Sequence, residues 1–288
     1  MYVVLPKILP PSKSSLSGLF LKNFSTQKNS CIFELSEAMK PTPATLGLII
    51  PCYNEETRLP GVAFQNFLAK NPNTLLIFVD DGSQDNTLVV LEQLRSKFPD
   101  KVIVLAQGNN RGKAEAIRRG VRHVISETSI AQLGFLDADL ATSLEEGFRL
   151  GQQLGPSKQF IFGSRILKLD NTIKRKWYRF LIGRMVASVI SKMLRLPVYD
   201  TQCGCKMFSR EWAAVAFKAP FLSRWLFDVE IFYRLLHHFG KAEFTAKAIE
   251  TPLDQWIDQG DSKISWSYGI KMWWDLFIIW KHYNRANT

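Results

Sequence analysis

The stretch LGLIIPCYNEE, residues 46–56, is a short apolar run that ends at a proline and continues as a polar loop. Such a run followed by turn residues is typical of a buried strand. Similar runs occur at residues 74–79, 101–106 and 132–136. The segments between them predict helices near residues 60–70, 87–97 and 114–125.

Apolar strands that alternate with helices predict right-handed βαβ units. The expected fold class is therefore α/β, with a mostly parallel sheet flanked by helices. Ligands of such folds bind beyond the carboxyl ends of the strands. The residues that follow each strand are thus the first candidates for function.

Acidic residues follow three of the four predicted strands. Glu55 follows the first strand, Asp80 and Asp81 the second, and Asp137 and Asp139 the fourth. Carboxylates that lie together repel one another unless a cation sits among them. Since Mg²⁺ and Mn²⁺ prefer hard oxygen ligands, Asp137 and Asp139 predict a divalent metal site.

These acidic motifs also have a purely structural interpretation. Asp-x-Asp is a common turn sequence, and the Asp80–Ser83 stretch could cap the helix that follows it. The position of Asp137 and Asp139 after an apolar strand, at the same edge as the other acidic strand ends, favours the metal.

Further motifs follow in a fixed order: NNRGKAEAIRRG at 109–120, FGSR at 162–165, YDTQCGCKMFSRE at 199–211, WLFDVE at 225–230 and WIDQGDSK at 256–263. With the strand-end motifs they resemble inverting glycosyltransferases of family 2, which have the GT-A nucleotide-sugar-binding fold. Within that family they are similar to the dolichyl-phosphate glucosyltransferases and, more distantly, to the dolichyl-phosphate mannose synthases. The resemblance extends over about residues 46–283.

This resemblance implies an enzyme that moves a hexose from a nucleotide diphosphate sugar to a polyprenyl phosphate of the dolichyl type, with Mg²⁺ or Mn²⁺ as cofactor. Asp137 and Asp139 would hold the metal against the diphosphate, and Arg165 and Lys263 would contact phosphate. The nucleotide-sugar-binding residues that it implies are Pro51, Tyr53, Glu55, Val79, Asp81, Lys113, Asp137, Ala138, Arg165 and Lys263. The catalytic residues would be Asp200, Arg165 and Asp139.

The need for a general base stays open. Asp200 is the best candidate for a base or a sugar-orienting carboxylate, followed by Asp228 and Glu230. A lipid monophosphate already carries negative charge near neutral pH, however, and can attack directly if it is held in line. Asp228 and Glu230 could instead be the polar face of a helix.

The choice of sugar donor is inferred from one sequence difference between the glucosyltransferases and the mannose synthases. The mannose synthases carry an arginine six residues before the lysine that matches Lys263, and this chain has Ile257 there. Trp256 fits the glucosyltransferase pattern. UDP-glucose is therefore favoured over GDP-mannose.

The 288 residues carry a net charge of +11, which predicts an anionic partner. Residues 158–195 hold ten basic side chains and one acidic side chain. Within them, residues 177–194 alternate basic and apolar side chains at helical spacing. Such a helix could lie on an anionic membrane surface, or pack on a core with its basic face in water. The segment lacks a nucleic-acid-binding motif, so we expect no nucleic-acid partner.

Five of the eight tryptophans lie within residues 256–280, and tryptophan favours the boundary between water and lipid. No stretch reaches 18 uncharged apolar residues, the length that spans a bilayer. We therefore expect peripheral attachment to the cytoplasmic side of a membrane.

The expected organisation is a disordered leader at residues 1–43, a GT-A catalytic domain at 44–255, and an acceptor-loop and amphipathic membrane-interface segment at 256–288. Two alternative functions stay open: a family 2 transferase with a glycolipid or polysaccharide acceptor, and a non-catalytic binding module. The presence of both metal aspartates together with Arg165 and Lys263 argues against the binding module.

Overall fold

The first half of the domain is built from the alternating strands and helices that the apolar runs predict. A computed structural model describes residues 44–167, 169, 172–174, 177–257 and 268–285. The elements of this half are β1 (Leu46–Cys52), α1 (Gly61–Lys70), β2 (Thr74–Asp80), α2 (Thr87–Lys97), β3 (Val102–Ala106), α3 (Lys113–Glu127), β4 (Gln132–Phe135) and α4 (Leu144–Gly151). The leader predicted at residues 1–43 lies outside the described residues.

The second half has shorter strands and longer helices. Its elements are β5 (Phe160–Ser164), β6 (Thr172–Lys174), α5 (Trp177–Leu194), β7 (Lys206–Ser209), α6 (Arg210–Ala216), α7 (Phe227–Lys247), β8 (Ala248–Pro252), β9 (Gln255–Ile257) and α8 (Tyr268–Arg285). Helix α7 is kinked at Gly240, whose φ of 78° lies in the left-handed region that glycine adopts without strain. Helix α5 has the bounds that the basic amphipathic pattern predicts.

The main sheet has the strand order β3-β2-β1-β4-β7-β5-β8. Strand β1 is parallel to both β2 and β4, whereas β7 lies between β4 and β5 and is antiparallel to both. The predicted mostly parallel α/β sheet is confirmed. The antiparallel strand β7 was not predicted, because its sequence KMFS begins and ends with a polar residue and gives no continuous apolar run. A separate two-stranded sheet pairs β6 with β9.

Helices cover both faces of the sheet, so the central strands are buried on both sides. Every residue of β2 is buried, as are six of the seven residues of β1. On one face Phe160 stacks on Phe208, with 4.7 Å between ring centres, and packs edge-on against Phe232 at 5.4 Å. Burial of such apolar side chains stabilises the fold by about 2 kcal/mol for each one.

Parallel pairing brings the carboxyl ends of β1, β2 and β4 to one edge. Cys52 at the end of β1 is level with Asp80 at the end of β2, and Ile49 is level with Phe135. The loops that carry the predicted site residues therefore leave the sheet side by side. Among the described helices, none combines the length and the apolar character that a bilayer crossing requires.

Candidate active site at the carboxyl edge of the sheet

Asp137 and Asp139 lie together directly after β4. Burial raises the pKa of Asp139 above its ordinary value, and the negative charge of Asp137 raises it further. The amide of Ala141 donates to Asp139 Oδ1 at 3.0 Å, which fixes one oxygen of that carboxylate. Two adjacent, partly desolvated carboxylates are an arrangement that a cation stabilises.

Lys113, the first residue of α3, forms an ion pair with Asp137. Burial alone would lower the pKa of Lys113, but the carboxylates of Asp137 and Asp228 outweigh that effect and raise it above the ordinary value. Lys113 is therefore a charged ammonium at the acidic edge, and its predicted contact with the nucleotide sugar stays a prediction.

The residues present fit a divalent metal. A Cβ at Gly204 would overlap the Asp137 carboxylate, so a side chain there would exclude Asp137 from its place. Within the described residues no cluster of three His, Cys, Asp or Glu side chains forms. Mg²⁺ is commonly held by one or two carboxylates together with water and substrate phosphates. Asp137 and Asp139 would thus hold Mg²⁺ or Mn²⁺ when the donor supplies the remaining ligands.

Arg58 is a member of this site that the sequence analysis missed. Its guanidinium lies 3.6 Å from Glu55 Oε2 and 3.7 Å from Asp139 Oδ2. It therefore links the loop after β1 to the metal motif after β4. The only signal in the sequence was its position three residues after Glu55, the spacing of two neighbours on one helical turn.

The Asp81 carboxylate shapes a neighbouring loop. It accepts hydrogen bonds from the amides of Arg111 at 2.8 Å and Gly112 at 2.7 Å. Burial raises the pKa of Asp81, although these two bonds act in the opposite direction. Gly112 has a φ of 92°, and the side chain of Arg224 lies against it. The predicted contact of Asp81 with the nucleoside stays a prediction.

The other predicted pocket residues lie at the same edge but differ in exposure. Pro51 is level with Val79 in the sheet. Val79 and Ala138 are buried in the apolar core, whereas Tyr53 and Glu55 are partly exposed. Tyr53 and Glu55 are thus better placed to meet a ligand through their side chains than Val79 is.

Arg165 and Asp200 form a two-point ion pair. Arg165 Nε donates to Asp200 Oδ2 at 2.7 Å, and Nη2 donates to Oδ1 at 2.9 Å. Burial alone would raise the pKa of Asp200, but the Arg165 guanidinium lowers it to about 2. A carboxylate with this pKa is a weak base, so the geometry favours a role in orienting Arg165 over general-base catalysis.

Asp228 and Glu230 are both buried near the start of α7. Asp228 accepts a hydrogen bond from the fully buried Lys206 at 2.5 Å. Glu230 accepts from the amides of Leu222 at 2.9 Å and Ser223 at 3.0 Å. The backbone contacts of Glu230 favour a structural role for it, but since both residues are buried, neither lies on an exposed polar face of the helix.

The C-terminal helix α8 has two different faces. Leu276 and Ile279 are buried against the domain. The exposed side carries large aromatic side chains, namely Trp273, Trp274, Phe277 and Trp280. Lys263 and Trp266 lie outside the described residues, so the predicted phosphate contact of Lys263 stays a prediction.

The chain is similar in sequence to proteins of known activity. The sequence model described as "Glycosyl transferase family 2" matches residues 48–216. The chain is 32% identical over 260 residues to the dolichyl-phosphate beta-glucosyltransferase of Drosophila melanogaster, an alignment that covers 83% of this chain and 75% of the fly protein. It is also 32% identical to the human dolichyl-phosphate beta-glucosyltransferase, over 81% of this chain and 74% of that protein.

Solved structures show the same fold at low sequence identity. The glucosyl-3-phosphoglycerate synthase of Mycobacterium tuberculosis, crystallised with Mn²⁺, UDP-glucose and phosphoglyceric acid, matches with a TM-score of 0.55 and 18% identity. That match covers 76% of this chain and 73% of the synthase. The mannosyl-3-phosphoglycerate synthase of Rubrobacter xylanophilus matches with a TM-score of 0.59 and 15% identity, over 85% and 75% of the two chains. The predicted GT-A fold is confirmed.

Proposed function

Because the chain belongs to glycosyl transferase family 2, we propose that it transfers glucose from UDP-glucose to a polyprenyl phosphate of the dolichyl type, with inversion at the anomeric carbon. The observation that carries the proposal is 32% identity, over more than four fifths of the chain, to relatives named for this reaction. The site supports it, since two adjacent carboxylates and the partly buried cations of Lys113 and Arg165 suit a diphosphate donor.

The metal's contribution, when it is bound by Asp137 and Asp139, is to stabilise the negative charge that develops on the leaving diphosphate. Lys113 stands beside Asp137 and adds positive charge at the same place. Arg165 uses Nε and Nη2 on Asp200, which leaves Nη1 to hold a phosphate oxygen. These fixed cations act most strongly on the transition state, where the negative charge is largest.

The acceptor supplies its own nucleophile in this proposal. A phosphate monoester oxygen is ionised near neutral pH, so no side chain has to remove a proton from it. The low pKa of Asp200 fits this mechanism, because Asp200 stays ionised and keeps the Arg165 guanidinium in one orientation.

We place the protein on the cytoplasmic side of a membrane, attached peripherally. The exposed aromatic face of α8 supports this proposal, since tryptophan and phenylalanine side chains favour the lipid boundary. Lys271 and Lys281 are exposed on the same helix and could meet anionic headgroups.

The direct test is incubation of the protein with labelled UDP-glucose, Mg²⁺ and a polyprenyl phosphate, followed by extraction of the lipid product. We expect labelled glucosyl lipid with the phosphate, and none with the corresponding polyprenol. Parallel reactions with GDP-mannose test the donor. Transfer only to a glycolipid or polysaccharide acceptor would contradict the proposal in favour of another family 2 reaction.

A further inference from the structure

The segment that carries Asp200 has little secondary structure of its own. It lies between the end of α5 at Leu194 and the start of β7 at Lys206. Without a helix or a strand ladder, its backbone groups need side-chain partners to adopt one conformation. The partners of the Tyr199 and Asp200 backbone come from α5, which precedes the segment, and from β8, which lies about 50 residues further along the chain.

Glu250 on β8 binds the N–H side of this segment. Its Oε2 accepts from the amide of Tyr199 at 2.8 Å, and its Oε1 accepts from the amide of Asp200 at 2.7 Å. Two charge-assisted hydrogen bonds from neighbouring amides to one carboxylate fix both the position and the orientation of the peptide. Glu250 is itself held in place, because β8 pairs with β5 and sets Glu250 level with Phe162.

Arg184 on α5 binds the other side of the segment. Its Nη1 donates to the carbonyl oxygen of Tyr199 at 2.8 Å. The guanidinium carbon also lies 3.5 Å from the centre of the Tyr199 ring, a cation–π contact. Tyr199 is thus held at its amide, its carbonyl and its ring.

These contacts lead to Arg165 in one further step. The Asp200 carboxylate accepts from the Arg165 amide at 3.1 Å as well as from the guanidinium. A shift of the Asp200 backbone would therefore move the guanidinium. The Trp256 ring lies 5.4 Å from Arg165 Cζ and faces the cation.

We propose that Glu250 and Arg184 are positioning residues for Arg165, acting through the backbone of Tyr199 and Asp200. They contact neither donor nor acceptor; they hold the Asp200 carboxylate where it fixes the direction of Arg165 Nη1. This inference rests on the proposed function, in which Arg165 holds a phosphate group.

The test is a double-mutant cycle. Glu250→Gln keeps the size of the side chain but presents an NH₂ donor to one of the two amides, so the peptide must shift. A misplacement of a catalytic group by about 1 Å costs on the order of 100-fold in rate. We therefore expect Glu250→Gln and Arg184→Met each to lower kcat by about 10- to 100-fold. In an Asp200→Asn background, where the link to Arg165 is already weakened, Glu250→Gln should change kcat by less than about twofold.

A purely structural role predicts a different result. Loss of global stability would lower the melting temperature and reduce activity by the same factor in both backgrounds. The inference would be overturned if the effects of Glu250→Gln and Asp200→Asn on kcat multiplied in the double variant. It would also be overturned if folded Glu250→Gln and Arg184→Met had the kcat of wild type. If Glu250→Gln does not fold, Arg184→Lys, which keeps the charge but loses the planar stacking group, completes the same cycle.

Two control variants match the test variants in chemistry but lie away from the site. Glu243→Gln removes a surface carboxylate that pairs with Lys247. Arg210→Met removes a guanidinium that donates to the carbonyls of Ile125 and Ile130. Both should keep kcat within about twofold of wild type, even where Arg210→Met lowers the melting temperature.

Whether the proposed function itself fails is measured on the wild-type protein. If wild type transfers no glucose to polyprenyl phosphate, the cycle is measured on the affinity for UDP-glucose with Mg²⁺, since Arg165 is predicted to contact a donor phosphate. The inference then requires that Glu250→Gln weaken UDP-glucose binding by about 10-fold, the size of one misplaced charge-assisted contact. In the Asp200→Asn background, Glu250→Gln should leave UDP-glucose binding unchanged.

Discussion

Protonation of Asp200 should weaken the fold in acid, because this carboxylate is buried and paired with Arg165. Burial alone would raise its pKa, but Arg165 lowers it from 3.8 to about 2. A folded-state pKa below the ordinary value means that the pair stabilises the protein fully above about pH 4, and that this stabilisation is lost as the pH falls towards 2.

Asp200→Asn should therefore be less stable than wild type at about pH 5, and the difference in free energy of unfolding should shrink as the pH falls below about 4. Urea unfolding followed by circular dichroism at several pH values measures this difference. Asp100→Asn, at an exposed position, is the control and should show no such trend. If the difference in free energy of unfolding between Asp200→Asn and wild type stayed constant down to about pH 2, the prediction would be contradicted.

Asp139 gives a second prediction at the scale of single residues. Its pKa is raised by burial and by Asp137, so a bound divalent cation would favour its ionised form. Removing one of two carboxylate ligands should weaken Mn²⁺ binding by at least about 10-fold, the scale of a hydrogen bond to a charged group.

Asp139→Asn is expected to bind Mn²⁺ more weakly in the presence of UDP, as measured by electron paramagnetic resonance of free Mn²⁺. Asp254→Asn is a suitable control, because Asp254 is exposed and pairs with Arg149 on α4. Equal affinity of Asp139→Asn and wild type would remove Asp139 from the metal site.

At the scale of elements, α8 has one face that the domain covers and one that it leaves exposed. Trp274 is 62% exposed and Trp280 44%, whereas Ile279 is fully buried. Burial of an aromatic ring in the lipid boundary gains on the order of 1 to 2 kcal/mol, so the exposed rings together could carry a sizeable share of membrane binding.

Trp274→Ser with Trp280→Ser should reduce flotation with anionic liposomes by about 10-fold or more, while leaving the melting temperature near that of wild type. Val89→Ser is the matched control, since Val89 is an exposed apolar residue on α2. Flotation of the double variant equal to wild type would show that α8 does not contribute. Retention of wild-type protein at the bottom of the gradient at low salt would contradict membrane attachment altogether.

At the scale of the whole molecule, donor binding should stabilise the fold. The site takes residues from the loops after β1, β2, β4 and β5, so a bound nucleotide connects elements from both halves of the chain. A ligand at about 100 times its Kd adds about 2.7 kcal/mol of stability. For a domain of this size each kcal/mol raises Tm by about 2–4 °C.

UDP with Mg²⁺ is therefore expected to raise Tm by about 5–10 °C in a thermal shift experiment. Chelation of Mg²⁺ with EDTA should remove most of the shift, and ATP with Mg²⁺ at the same concentration is the control for a general effect of nucleotides. A Tm shift that EDTA leaves unchanged would show that UDP binds without the metal, contrary to the prediction.

The alternation of β1 to β4 with their helices can be predicted from sequence, because burial on both faces of a parallel strand produces a continuous apolar run that is visible locally. The sequence also predicts that the loops carrying Glu55, Asp81, Asp137 and Asp139 leave the sheet at one edge, since the carboxyl ends of parallel strands lie together. The motifs then indicated the family and its chemistry.

The way in which the second half of the chain completes the site depends on contacts between residues that are far apart in the sequence. Strand β7 enters antiparallel between β4 and β5, which no local pattern shows, and this topology brings Asp200 to Arg165 across 35 residues of sequence. Glu250 reaches Tyr199 across 51 residues. Such contacts depend on which strands become neighbours, and that choice depends on the packing of the whole chain. The sequence alone thus suggested Asp200 as a possible base, and only its folded neighbours indicate that it orients Arg165.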